Sequence, residues 1–141
     1  MSRKAVLRLI DANANRSLEG LRVCEDIVRF YLESPSGTRR LRRLRHGIAA
    51  ALRRLPIRPD ELTEARQSGH DVGRRARAGS VESLERLLLI NFQRTKESLR
   101  SLEETSRLIA PRATPRFQQL RFSTYEAERD ILRRLAALRH P

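Results

Sequence analysis

The chain has 141 residues, with 30 Lys and Arg against 17 Asp and Glu, and a formal charge of +13. That length fits one domain with a genuine core, built mostly from Leu, Ile, Val and Ala because aromatics are 4% and Trp is absent. No run approaches the roughly 18 apolar residues of a membrane span, Arg3, Lys4, Arg8 and Asp11 break any leader-like stretch, and the lone Cys24 excludes an internal disulfide, so a cytoplasmic protein is expected.

A first helix is predicted from Arg3 to Glu33. At about 100° per residue, Leu7, Ile10, Ala14, Leu18, Leu21, Val28 and Leu32 form one apolar stripe. Leu9, Ala12, Val23, Ile27 and Phe30 form a second, separated from the first by Arg8, Asp11, Asn15, Glu19, Arg22, Asp26 and Arg29. Glu25 falls inside the first stripe and Arg16 inside the second. A helix apolar around most of its circumference is expected at the centre of the fold. Charges there need a paired or liganded setting, which leaves two readings open: structural Arg–Glu pairs, or an anion site lined by Arg and Asn. Cys24, on the apolar side, reads as a small core residue.

Ser34-Pro35-Ser36-Gly37 should stop this helix, with Thr38 capping a second that runs to about Leu55 on Leu41, Leu44, Ile48, Leu52 and Leu55. Its arginine run reads as a solvated face. Pro56 and Pro59 end it, and a short helical turn capped by Asp60 is expected up to Arg66. The polar stretch Arg66 to Gly73 follows, with Gly69 and Gly73 able to free backbone amides. Neither the P-loop nor the G-x-G-x-x-G pattern is present. Ser80 should cap a third helix to about Ile109, and Pro111 and Pro115 should separate it from a fourth, roughly Pro115 to Arg139. That last helix should turn Phe117, Leu120, Tyr125, Ile131, Leu132 and Leu135 inward. No segment alternates with strand period.

Asn13, Arg16, Glu19, Leu21, Arg22 and Glu25 are repeated as Asn91, Arg94, Glu97, Leu99, Arg100 and Glu103, all at the offset 91 − 13 = 78. Leu44-Arg45-His46 and Leu120-Arg121-Phe122 follow each copy at similar places. The chain therefore reads as one all-α domain over 1–141. It is a helical bundle of two pseudo-symmetric long helix pairs, roughly 3–55 and 80–139, joined by a glycine-containing loop. The charge is almost wholly arginine, since Lys4 and Lys96 are the only lysines. Arginine grips phosphate bidentately, although arginine-biased codon usage gives the same excess without any partner. Basic residues spread around every helix, with few aromatics to stack bases, argue against a nucleic-acid module. His46, His70 and His140 are too scattered for a metal site.

Four segments together resemble a known family. They are Asp11–Asp26 (DANANRSLEGLRVCED), Leu44–His46, the loop Ala65–Gly73, and Asn91–Glu104 (NFQRTKESLRSLEE). The family is the non-standard hydroxymethylpyrimidine-phosphate kinase domain of thiamine biosynthesis, often fused ahead of thiamine-phosphate synthase. The resemblance covers nearly the whole chain, with one departure: Gln67 follows Arg66 where the family carries an acidic residue. At 141 residues there is no room for the synthase barrel. The chain is expected to be the kinase domain alone or a portion of a longer protein. The resemblance implies ATP-dependent phosphorylation of 4-amino-5-hydroxymethyl-2-methylpyrimidine phosphate, with Mg²⁺ entering alongside ATP and no tightly bound cofactor.

On that basis Arg16, Arg22, Arg94 and Arg100 are expected to hold phosphates, with Asn13, Asn15, Asn91 and Glu19 ordering them or the pyrimidine. Glu25 and Glu103 are expected to be structural partners. Phosphoryl transfer needs positioning and charge neutralisation. Asp71 is therefore the expected general base or Mg²⁺ ligand, Arg66 the group on the transferred phosphate, and Gly69 and Gly73 the hinges of a closing loop. The alternative is a helical binding or scaffold module without catalysis, whose partner would be nucleic acid or a thiamine-phosphate synthase. A homodimer is also left open.

Overall fold

The computed structural model describes residues 2–139, so His140 lies outside it. Ser2 caps the first helix, α1 (Arg3–Phe30), by accepting the Ala5 N–H at 3.2 Å. Leu7, Ile10, Ala14, Leu21 and Val28 are buried as the first stripe requires. The second stripe is only partly so: Ile27 is buried, but Leu9 is 50% and Phe30 68% exposed. Helices cover one side of α1 and leave the other open, so it is central in packing but not enclosed.

α1 ends before Glu33, which adopts the left-handed region at φ 51°. The chain then enters α2 (Pro35–Arg53) directly. Ser34, not Thr38, is the cap, its Oγ accepting the Gly37 N–H at 3.1 Å. Pro35 fits the first helical position because that N–H has no intrahelical acceptor and the ring presets φ. Ser-Pro thus starts a helix here. Similarly, α3 (Pro59–Ala65) begins one residue before Asp60, and Glu61 reaches back to accept the Arg58 N–H at 3.1 Å. Ser83, not Ser80, caps α4 (Leu84–Ile109), accepting the Arg86 N–H at 3.1 Å. A 3-10 turn at Pro111–Ala113 leads to α5 (Thr114–Arg139), and Pro115 sits within its first turn. No strand occurs among the described residues, and no helix is long and apolar enough to cross a membrane.

α1 packs most extensively against α4 and also against α2 and α3; α5 packs against α4 and α2. The core joins Ile10, Leu21, Leu41, Ile48, Leu88, Phe92, Leu99 and Phe117, all at most 1% exposed. Phe117, Leu120, Ile131 and Leu135 of α5 point inward and Leu132 is half-buried, but Tyr125 is 41% exposed. The Lys96 ammonium lies 4.9 Å over its ring. Cys24 is fully buried, and burial pushes its thiol well above the ordinary range.

Equivalent bonds recur at the offset of 78 residues. Asn13 Nδ2 donates to the Leu9 carbonyl at 2.9 Å, and Asn91 Nδ2 to the Leu87 carbonyl at 2.9 Å. Arg22 pairs with Glu25 and Asp26, as Arg100 does with Glu103 and Glu104. Glu25 receives both Nε and Nη2 of Arg45 at 3.2 and 3.3 Å, and Glu103 receives those of Arg121 at 2.7 and 3.3 Å, although these two arginines are separated by 121 − 45 = 76 residues rather than 78.

Candidate functional site

A glycine lets α1 and α4 approach closely where the site lies. A Cβ on Gly20 would stand 2.9 Å from Thr95 Oγ1 and 3.2 Å from the Asn91 carbonyl oxygen. Beside this crossing is an open cavity of about 650 Å³, lined by Asn13, Arg16, Glu19, Gly20 and Val23 of α1. Asn91, Arg94, Glu97, Ser98 and Ser101 of α4 form the remainder. Each α1 residue pairs with an α4 residue at the offset of 78: 13 with 91, 16 with 94, 19 with 97, 20 with 98 and 23 with 101. Residues related by this one offset thus stand on the two walls of one chamber.

Within it Asn13 and Asn91 are buried, 5% and 4% exposed. Each spends one amide hydrogen on its own helix and keeps one N–H and its carbonyl oxygen for other partners. Arg16 and Arg94 are exposed at the chamber, which corrects the expectation that an apolar stripe surrounds Arg16. Among the described residues neither forms an ion pair. Arg22 and Arg100 behave differently: they line no part of the chamber and are paired with the carboxylates of their own helices. Structural Arg–Glu pairs account for Arg22 and Arg100, while Arg16 and Arg94 remain available to an anion.

A second chamber, also about 650 Å³, shares Asn13, Arg16 and Glu19 with the first. Its other walls are Ala5, Arg8, Leu9, Asp11, Ala12 and Asn15 of α1, with Arg66, Gln67, Ser68 and Asp71 from the connection to α4. Asp11, expected on the polar strip between the two apolar stripes, is 7% exposed and holds Arg66 bidentately, Nη2–Oδ1 at 2.7 Å and Nε–Oδ2 at 2.8 Å. That hydrogen bond raises the Arg66 guanidinium above its ordinary value, and the Asp11 and Glu19 charges add to it. Two of five guanidinium donors serve Asp11, leaving three for a ligand.

Asn15 Nδ2 reaches Asp11 Oδ1 at 3.4 Å. Asp71 Oδ1 accepts the Gly73 N–H at 2.8 Å, so only its second oxygen is uncommitted. Gly69 and Gly73 line neither chamber, and neither has positive φ. Sequence alone did not single out Ser68, Gly20, Val23, Ser98 or Ser101 as site residues. The last four were reachable, because the offset relates each to another.

The ThiD2 family model matches residues 8–130 of this chain. Thiamine-phosphate synthase of Rhodopirellula baltica is 34% identical over 96% of the chain and 36% of that protein. Its counterpart in Synechocystis sp. is 35% identical over 91% of the chain and 36% of its own length. The protein of that name in Gloeobacter violaceus is 31% identical over 96% of the chain and 40% of its length. The chain therefore spans little more than a third of the curated relatives it matches. No solved structure matches it. With the match covering most of its length, the chain belongs to the ThiD2 family.

Proposed function

We propose that this member of the ThiD2 family acts in thiamine biosynthesis, transferring the γ-phosphoryl group of ATP to 4-amino-5-hydroxymethyl-2-methylpyrimidine phosphate. The observation that carries the reading is the pair of contiguous chambers meeting at Asn13, Arg16 and Glu19. A reaction between two phosphorylated molecules needs two adjoining pockets and cationic groups where their phosphates meet. Arg16 stands at that junction, Arg94 faces the first chamber, and Asp11 orients Arg66 in the second. The names of the relatives support the pathway.

In this transfer an oxygen of the monophosphate forms the new P–O bond to the γ-phosphorus, and the bond to the β-bridging oxygen breaks, releasing ADP. The second ionisation of a phosphate monoester lies near pKa ~6, so the acceptor is already deprotonated at neutral pH. General-base catalysis by Asp71, expected for a hydroxyl acceptor, is therefore not needed for this step. What remains for Asp71 is cation binding. Mg²⁺ is held by one or two carboxylates plus substrate phosphates, and Glu19 and Asp71, each with an uncommitted oxygen in the second chamber, fit that donor set. Mg²⁺ would neutralise charge on the β- and γ-phosphate oxygens.

ATP consumption measured with the pyrimidine phosphate, and again with the unphosphorylated alcohol, tests the reading. Consumption driven by the monophosphate is expected, and its absence with both acceptors overturns the proposal. Asp71→Asn should raise the Mg²⁺ concentration needed for half-maximal rate. An unchanged Mg²⁺ dependence removes Asp71 from the site.

A further inference from the structure

We infer that the duplicated chamber between α1 and α4 takes a unit of two linked phosphates, such as the diphosphate portion of a nucleotide, one phosphate toward each half of the repeat. The second chamber then receives the heterocycle. This rests on the two-substrate reading but assigns the chambers, which that reading leaves open.

The assignment follows from the walls. In the first chamber all five α1 residues have an α4 counterpart at the offset of 78, and three of the pairs are identical: Asn13/Asn91, Arg16/Arg94 and Glu19/Glu97. A pyrophosphate unit has approximate twofold symmetry and presents an equivalent set of oxygens at each end. Two symmetry-related arginines without carboxylate partners among the described residues match it, one guanidinium for each phosphate. The differing pairs, Gly20/Ser98 and Val23/Ser101, leave Val23 as the only large apolar side chain on these walls. Glu19 and Glu97 offset the two arginine charges, so the chamber favours a phosphate pair that brings its own divalent cation.

The second chamber is asymmetric. Asp11, which anchors Arg66, has Leu89 as its counterpart, and Ala12 has Ile90. The Ala5, Leu9 and Ala12 surfaces offer apolar contact, and Asn15 and Gln67 offer amide donors and acceptors. That combination suits a flat aminated ring.

Calorimetric titration with inorganic pyrophosphate, with and without Mg²⁺ and at fixed ionic strength, tests the assignment without any turnover. One equivalent per chain is expected, bound more tightly with Mg²⁺. Arg16→Gln and Arg94→Gln should each weaken binding by about tenfold to a hundredfold, the loss of one charge-assisted contact. Arg66→Gln should weaken it less than threefold. The first two side chains are exposed and unpaired among the described residues, and melting temperatures check that the variants fold. No binding, two equivalents bound, indifference to Arg94, or equal sensitivity to Arg66 would each overturn the inference. Arginine-dependent pyrophosphate binding without formation of a pyrimidine diphosphate would leave the inference standing and remove the kinase reading. Turnover with pyrophosphate affinity indifferent to Arg94 would do the opposite.

Discussion

Glu103 is 6% exposed, and both its oxygens bond to Arg121, itself 8% exposed. The hydrogen bond to Glu103 holds the Arg121 guanidinium above its ordinary value against the opposing effect of burial. Removing Glu103 strands the Arg121 charge in the bundle, so Glu103→Ala should lower stability by about 3–5 kcal/mol, and Arg121→Ala should cost less because Arg100 still lies 3.7 Å from Glu103. Their double variant should cost less than the sum. Urea unfolding checks this, and additive losses would show that the pair does not act as a unit. Glu25 was legible as a buried partner because the 3.6-residue period places it in an apolar stripe, and Glu103 because it repeats Glu25 at the offset of 78. Their main arginines, Arg45 and Arg121, come from other helices and are visible in sequence only as the repeated Leu-Arg segment. The same period placed Arg16 among apolar residues and could not tell a core face from a cavity wall. Leu9, Val23 and Phe30 are apolar on either account, and only the neighbouring helices decide.

At the scale of the element, the α1–α4 crossing depends on Gly20. A larger side chain there must displace Thr95 or the α4 backbone at Asn91, since its Cβ alone stands 2.9 and 3.2 Å from them. Gly20→Val should cost about 1–3 kcal/mol through overpacking and weaken pyrophosphate binding, because the walls of the chamber separate. Unchanged urea midpoint and affinity would show that the contact is not close. Helix existence and order were legible from periodicity and from the proline punctuation. Helix starts were misread at Ser34, Arg58 and Ser83 for one physical reason: several residues in each junction can cap. Proline at the first helical position, as at Pro35 and Pro59, marks an entrance as readily as an exit.

Across the whole molecule, ion pairs tie the outer helices together. Arg40 of α2 bonds Asp130 of α5 at 2.7 Å, and that bond holds the carboxyl below its ordinary 3.8. A carboxylate whose pKa falls on folding adds stability above its unfolded value and loses it as the pH drops through the folded one. The stability difference between wild type and Arg40→Gln should therefore shrink below pH 3.8. A constant difference down to strong acid would contradict this. The identities at the offset of 78 were the most legible feature of the chain, and Asn13, Arg16 and Glu19 with their counterparts line the first chamber. The second was hidden, because the 55-residue separation between Asp11 and Arg66 carries no local pattern.

The central claim is phosphoryl transfer onto a phosphate acceptor between the two chambers, and the ³¹P spectrum of the reaction tests it most directly. With protein, Mg²⁺, ATP and the pyrimidine monophosphate, the monophosphate resonance should give way to two coupled diphosphate resonances as ADP accumulates. The combined Arg16→Gln and Arg94→Gln variant should form that product at least about a hundredfold more slowly. ADP formation without the coupled pair, or a variant as fast as wild type, would contradict the account.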